Sequence, residues 1–389
     1  MKLAFVVQRY GLEVNGGAEL HCRYIAERLH RSHEVEVLTT CATDYLTWKN
    51  HYPKGSSFIN GILVRRFNVS KVRNPIRFGH IQNKIFYHHH TIADELLWLK
   101  EEGPYCPSLI NFIKKNANLY DFFIFFSYRY YQSYYGIKAV PTKSILVPTA
   151  EKDGAIELSI FKELFNLPRA IIYNSHEEKR LIQAHSNNYS VPGDIVGVGS
   201  EIPAWIRKER FREKYQINFP YIVYIGRIDE NKGCKELLDF FILFNKETKN
   251  PVHLIMIGKS IIEIPKHNNI HHFGFVSDED KFSALASADF LVMPSYYESL
   301  SLVLLEAWAI EKAALVNGNC EVLKGQCIRS NGGLYYRNYQ EFKELMLILL
   351  EDKELQAILG KNGKKYYNDN YELEKIINKY ERMLAYLSQ

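Results

Sequence analysis

Two glutamates interrupt an otherwise uncharged stretch, "PSYYESLSLVLLEAWAI" (294–310): Glu298 at a turn, and Glu306 inside a helix that is apolar all round. An unpaired buried carboxylate costs several kcal/mol. The other charged residues lie before Glu298 or after Ile310, so no partner is visible within the segment. A carboxylate one to two turns inside a helix can accept two hydrogen bonds from a ribose diol, and its missing partner would then be a ligand. If the helix begins near Leu300, the amides of Ser299, Leu300 and Ser301 leave its N-terminus and suit a phosphate or a sugar oxygen.

Three further stretches carry residue types that do chemistry. "GLEVNGGAEL" (11–20) follows the first strand and precedes a helix. Its paired glycines, Gly16 and Gly17, let backbone approach a ligand, although a plain strand-to-helix turn would use the same residues. "GRIDENKG" (226–233) sends Arg227 and Lys232 off a strand end between two glycines. That is the paired cationic contact diphosphate recognition needs; ordinary surface charge is the alternative. "PTAEKDGAI" (148–156) puts Glu151 and Asp153 at another strand's carboxyl end, as catalytic groups or as a solvated loop.

Metal chemistry finds little support. Asp278 and Asp280 in "SDEDK" are read as a helix N-terminus capped by Ser277. The six cysteines are scattered with no C-x-x-C and read as reduced thiols, and "HHH" (88–90) reads as an exposed helical face. The dinucleotide fingerprint G-x-G-x-x-G is absent, which argues against a dehydrogenase.

These residues need a frame. At 389 residues the chain exceeds one typical core, and two domains are expected. Apolar runs at 2–7, 35–40, 62–67, 122–127, 144–149, 170–175 and 195–199 alternate with amphipathic stretches. The grammar repeats at 221–226, 253–258, 270–275, 290–295 and 313–318. Such alternation predicts parallel sheets covered on both faces, in two Rossmann-like domains. The joint is expected within 199–220. Ligands of such sheets bind at the carboxyl ends of the strands, which places the site between the domains.

Composition is that of a globular protein, 47% hydrophobic and 24% charged. No stretch reaches the roughly 20 apolar residues of a membrane span, and the opening apolar run is too short for a secretion signal, so a cytoplasmic protein is expected. Net charge is +5, and residues 1–100 hold 14 Lys/Arg against 8 Asp/Glu. The basic segment 65–84 is either a solvated face or a patch for anionic lipid or an acidic acceptor. Nucleic acid is not an expected partner.

In combination, the glycine loop at 15–19, "GRIDENKG", "HHFGFVSDEDK", "ADFLVMPSYYESLSLVLLEAWA" and "NGGLYY" (331–336) resemble a GT-B glycosyltransferase of retaining family 4, group 1. The resemblance covers most of the chain. It implies two Rossmann-like domains facing across a cleft: residues 1–205 binding the acceptor and 206–368 the nucleotide sugar. The helix at 369–389 would cross back to the first domain. By residue, it gives Glu298 the sugar hydroxyls, Glu306 the ribose, Arg227 and Lys232 the diphosphate, and Gly16 and Gly17 the same diphosphate from the other side. Glu151 stands where many relatives have His, and would sit near the anomeric centre. The family usually has Gly where Ser301 stands.

The implied activity is metal-independent hexosyl transfer, with no cofactor. A UDP-, GDP- or ADP-linked sugar would be donor, and a glycan or lipid-linked molecule acceptor, in cell-surface polysaccharide or lipopolysaccharide synthesis. Peripheral membrane contact would accompany a lipid-linked acceptor. For acceptor recognition the first domain offers the aromatic run "SYRYYQSYYG" (127–136), as stacking platforms or as core, besides the basic segment. Two alternatives share the fold: a nucleotide-sugar epimerase or hydrolase, and an inactive nucleotide-sugar-binding subunit.

Overall fold

The computed structural model describes residues 1–14, 16–248 and 250–389. They form two compact units, Met1–Val198 with Ile376–Gln389, and Gly199–Lys375.

The first unit is built on an eight-stranded sheet: β1 (Lys2–Val6), β2 (Glu34–Thr40), β3 (Gly55–Ile59), β4 (Ile62–Phe67), β5 (Phe122–Phe126), β6 (Ser144–Val147), β7 (Ala170–Tyr173) and β8 (Gly193–Ile195). Their spatial order is β3-β4-β2-β1-β5-β6-β7-β8, and every described pairing is parallel except β3 with β4. β5 reads "FFIFF" with all five residues buried, as a central strand covered on both faces must be. β3 is the strand of this unit that the apolar-run reading misses, as it misses the edge strand at 333–336 in the second unit. The β3 sequence "GSSFI" is mostly exposed at the sheet edge, so no hydrophobic run marks it. β8 ends at Ile195, just as the predicted run 195–199 begins, because Gly197 turns the chain at φ 82.

The second unit holds β9 (Tyr221–Ile225), β10 (His253–Ile257), β11 (Ile270–His272), β12 (Leu291–Met293), β13 (Ala314–Asn317) and β14 (Gly333–Tyr336). Their order is β11-β10-β9-β12-β13-β14, all parallel. The helix Leu373–Leu387 begins in this unit and continues in the first. Its buried residues Ile376, Tyr380, Leu384 and Leu387 fall on one helical stripe. Tyr380 Oη meets His21 Nε2 at 3.1 Å, and Glu381 holds His33 at 2.8 Å.

Most cations of the basic segment 65–84 are paired with acids, although Lys71, Arg77 and Lys84 stay exposed. Arg65 pairs with Glu36, Lys71 and Arg77 with Glu101, Arg73 with Glu102, and Lys84 with Asp94. Arg66 lies over the Tyr52 ring and donates to Tyr10 O. The aromatic run 127–136 is largely core, with Tyr128, Tyr131 and Tyr134 buried. The three histidines follow the helix Pro75–Tyr87 rather than lining its face. All six cysteines are free and buried.

Candidate active site

β9 and β12 are neighbours in the second sheet, yet the chain between them runs out through β10 and β11 and returns. That reversal is the switch point at which open α/β sheets leave a crevice for ligands. The loops leaving these two strands carry Arg227, Lys232 and Glu298.

The loop 226–233 turns on Gly226 and Gly233, at φ 151 and 66. A Cβ on Gly233 would stand 2.0 Å from Pro294 O, so the two loops touch backbone to backbone only because this residue is glycine. Asp229, 3% exposed, organises the loop. Its Oδ1 accepts the Lys232 N–H at 2.7 Å, and its Oδ2 accepts from Arg227 Nε. Lys232 Nζ then crosses to the second loop, donating to Tyr297 O at 3.1 Å and to Glu298 Oε1 at 2.8 Å. Tyr296 N–H closes the contact on Asn231 O at 3.3 Å. Arg227, Lys232 and Glu298 are thus brought together. Burial pushes the Cys234 thiol up to about 11, so it stays protonated beside this loop.

The helix after the second loop runs Leu302–Ala309. Ser301 is therefore its N-cap, and Ser299 and Leu300 belong to the turn before it rather than to the helix N-terminus. Ser301 takes φ 75, which a side chain adopts under strain and glycine adopts freely. That is the position where the resemblance leads one to expect Gly.

Glu306 is buried as expected, but its partner is protein. Ser200 Oγ donates to Oε1 at 2.7 Å, and Lys281 Nζ approaches the same oxygen at 3.1 Å. The ligand is not needed to hold the charge. Both contacts fall on Oε1, which leaves Oε2 for a hydroxyl donor. Burial opposes the charge on Lys281, but Glu306 and Asp278 outweigh it and raise its pKa. Ser277 caps the helix Asp278–Ser287 by accepting the Asp280 N–H, and Asp280 pairs with Arg210 and Lys214.

In the first unit, Gly16 caps the helix Gly17–Leu29 without a side-chain bond. A Cβ there would meet Glu19 Oε2 at 2.0 Å, and Glu19 is itself held by Arg9. Gly17 has nothing within 4 Å of its would-be Cβ, so no protein contact requires glycine there. Asn15, which opens the glycine loop, lies outside the described residues. Glu151 follows β6, half-buried, on the same unit. Asp229, Lys281 and Ser200 are the residues sequence reasoning missed. Asp229 had a signal, standing two residues from Arg227 inside the motif, and Lys281 closes the quoted stretch 271–281; Ser200 had none.

Residues 206–366 match the family model for glycosyl transferases group 1. That match lies within the second unit. Over 191 residues the chain is 26% identical to the N,N'-diacetylbacillosaminyl-diphospho-undecaprenol alpha-1,3-N-acetylgalactosaminyltransferase of Campylobacter jejuni, a match covering 46% of this chain and 49% of the relative. The chain spans about half the length of two such curated relatives, 47% and 49%. It spans 96% of an uncharacterised glycosyltransferase of Methanocaldococcus jannaschii, at 24% identity over 97% of this chain. Among solved structures, Anabaena Alr3699/HepE in complex with UDP and glucose matches with TM-score 0.72 and 15% identity over 99% of each chain. The fold of the chain is GT-B.

Proposed function

We propose that the chain is a retaining, metal-independent glycosyltransferase that moves a sugar from a nucleoside-diphosphate sugar to a glycan or lipid-linked acceptor in surface-polysaccharide or lipopolysaccharide synthesis. The observation that carries this reading is the Arg227–Asp229–Lys232–Glu298 arrangement at the switch point of the second sheet. There buried Asp229 holds the Arg227 guanidinium and the Lys232 backbone between permissive glycines, and the Lys232 ammonium meets Glu298, a carboxylate able to take sugar hydroxyls.

Breaking the glycosidic bond leaves positive charge on the sugar ring and negative charge on the departing diphosphate. Arg227 and Lys232 meet that negative charge, a contribution of about 3–4 kcal/mol in comparable preorganised sites. The acceptor hydroxyl bonds to the anomeric carbon on the face the diphosphate leaves, and its proton passes to a diphosphate oxygen. The configuration is retained without a protein nucleophile. Glu298 orients the sugar, Glu306 offers Oε2 to the ribose, Gly17 lets backbone approach the diphosphate, and Glu151 lies near the anomeric carbon. The two positive side chains do the neutralising that a divalent metal does elsewhere.

Thermal unfolding with UDP-glucose, GDP-mannose and ADP-glucose tests the reading. One donor should raise the melting temperature by several degrees, since a ligand at a hundredfold its Kd adds about 2.7 kcal/mol. Arg227→Ala should abolish that shift and lower turnover at least about a hundredfold. No shift with any nucleotide sugar, or normal turnover in R227A, sinks the assignment. Rapid isomerisation of donor alone would mark an epimerase instead.

A further inference from the structure

Thr149, two residues before Glu151, stands at φ 50. A β-branched residue holds that left-handed backbone at a cost of about 1–3 kcal/mol, and only where its surroundings enforce it. Ser127, just past β5, is also left-handed, at φ 65. The two hydroxyls meet at 2.7 Å, and Tyr128 N–H donates to Pro148 O at 3.0 Å, so the exits of β5 and β6 are locked together.

The next residue is held from the other side. Ala150 N–H donates to Glu178 Oε1 at 2.6 Å, while Glu178 Oε2 accepts the Asn174 N–H, just past β7, at 2.5 Å. Glu178 is 1% exposed, in the first turn of the helix His176–Ser186. Beyond Glu151, Asp153 accepts from Arg129 Nη1 at 2.7 Å and from Ala155 N–H at 3.1 Å, and Arg129 is held in turn by Glu102. A Cβ on Gly154 would stand 2.7 Å from the Phe86 ring, so the loop backbone lies against that ring.

A solvated connection needs neither a strained threonine nor a buried acid. Both oxygens of Glu178 face N–H donors, and a glutamine would aim its own NH2 group at one of them. The ionised carboxylate accepts at both ends; glutamine cannot. Burial and the charge of Glu151 push the Glu178 carboxyl up to about 8, against the two amides that favour its ionised form. We propose that Glu178 is a positioning residue: it clamps the strained loop 148–153 so that Glu151 is presented in one orientation to the sugar being transferred. This rests on the role given to Glu151 under the proposed function.

The test uses the full chain with Glu178→Gln, Thr149→Gly and Glu151→Gln. It follows amide hydrogen exchange across 148–154, thermal unfolding, and nucleoside diphosphate release from UDP-glucose, GDP-mannose and ADP-glucose. Exchange in the loop should quicken at least about tenfold in E178Q and T149G while β6 stays protected. Both should lower kcat at least about tenfold with donor KM within about twofold, the mark of lost orientation rather than lost binding. T149G relieves strain, so its melting temperature should stay within about 2 °C of wild type, and it decides the matter if E178Q fails to fold. Unchanged exchange overturns the clamp. Faster exchange with normal kcat, while E151Q is impaired, overturns the positioning role but leaves Glu151 in place. Normal kcat in E151Q removes Glu151 from the proposed function while the exchange result still judges the clamp.

Discussion

Glu306 illustrates what a residue's own neighbourhood in sequence conceals. Its burial was legible, because the helix around it is apolar all round. Its partners were not, because Lys281 lies 25 residues away and Ser200 lies 106 away. The pair has a testable consequence. Removing one member of a buried ion pair strands the other, at about 3–5 kcal/mol when both are fully buried. Lys281 keeps 19% of its side chain exposed and Glu306 6%, so solvent screens part of that cost. Lys281→Met should destabilise the protein by about 2–3 kcal/mol in urea unfolding. Adding Glu306→Gln should restore much of the loss, because the stranded charge is gone. If the double variant is no more stable than K281M, the pair is not what holds Glu306.

At the scale of elements, strands buried on both faces announced themselves as apolar runs, whereas the edge strands β3 and β14 did not. β5 has five buried residues in a row; β3 opens with Gly-Ser-Ser and is mostly exposed. Helix starts were less legible, as Leu302 rather than Leu300 shows, because the turn before that helix depends on Ser301 adopting φ 75. The glycines carry finer information. Gly233 is required by the Pro294 backbone and Gly16 lies against the carboxylate end of Glu19, but Gly17, the first residue of its helix, faces open space. Gly17→Ala should therefore stabilise the fold by about 0.5–1 kcal/mol, through helix propensity and a less free unfolded chain. If a diphosphate approaches that backbone, the same methyl group should raise donor KM. Thermal unfolding and donor titration separate the two effects. A variant that is more stable and binds donor normally would show that Gly17 has no part in recognition.

For the whole molecule, the two-sheet plan was legible because both halves repeat one grammar, whereas the fate of the charges was not. Segment 65–84 is basic, but its partners Glu36, Asp94, Glu101 and Glu102 lie elsewhere in the sequence. The C-terminal helix was legible as a helix, and what fixes it to the first unit is a buried pair, Tyr380 and His21. Burial pushes the His21 imidazole down to about 3, and its Nδ1 has no hydrogen-bond partner. Since an unfolded histidine titrates near about 6.5, the unfolded chain binds more protons than the native one between those values. The stability due to the neutral ring is complete above the unfolded pKa and is lost as pH falls towards the folded one. From pH 7 to 5 the loss should be about 2 kcal/mol. His253 and His271 are also lowered by burial, so the comparison must be with a variant that keeps both. His21→Phe fills the space beside Phe126 without a titratable group, and its unfolding free energy should fall about 2 kcal/mol less than wild type between pH 7 and 5. Equal slopes in the two proteins would mean that His21 is not held neutral under the C-terminal helix.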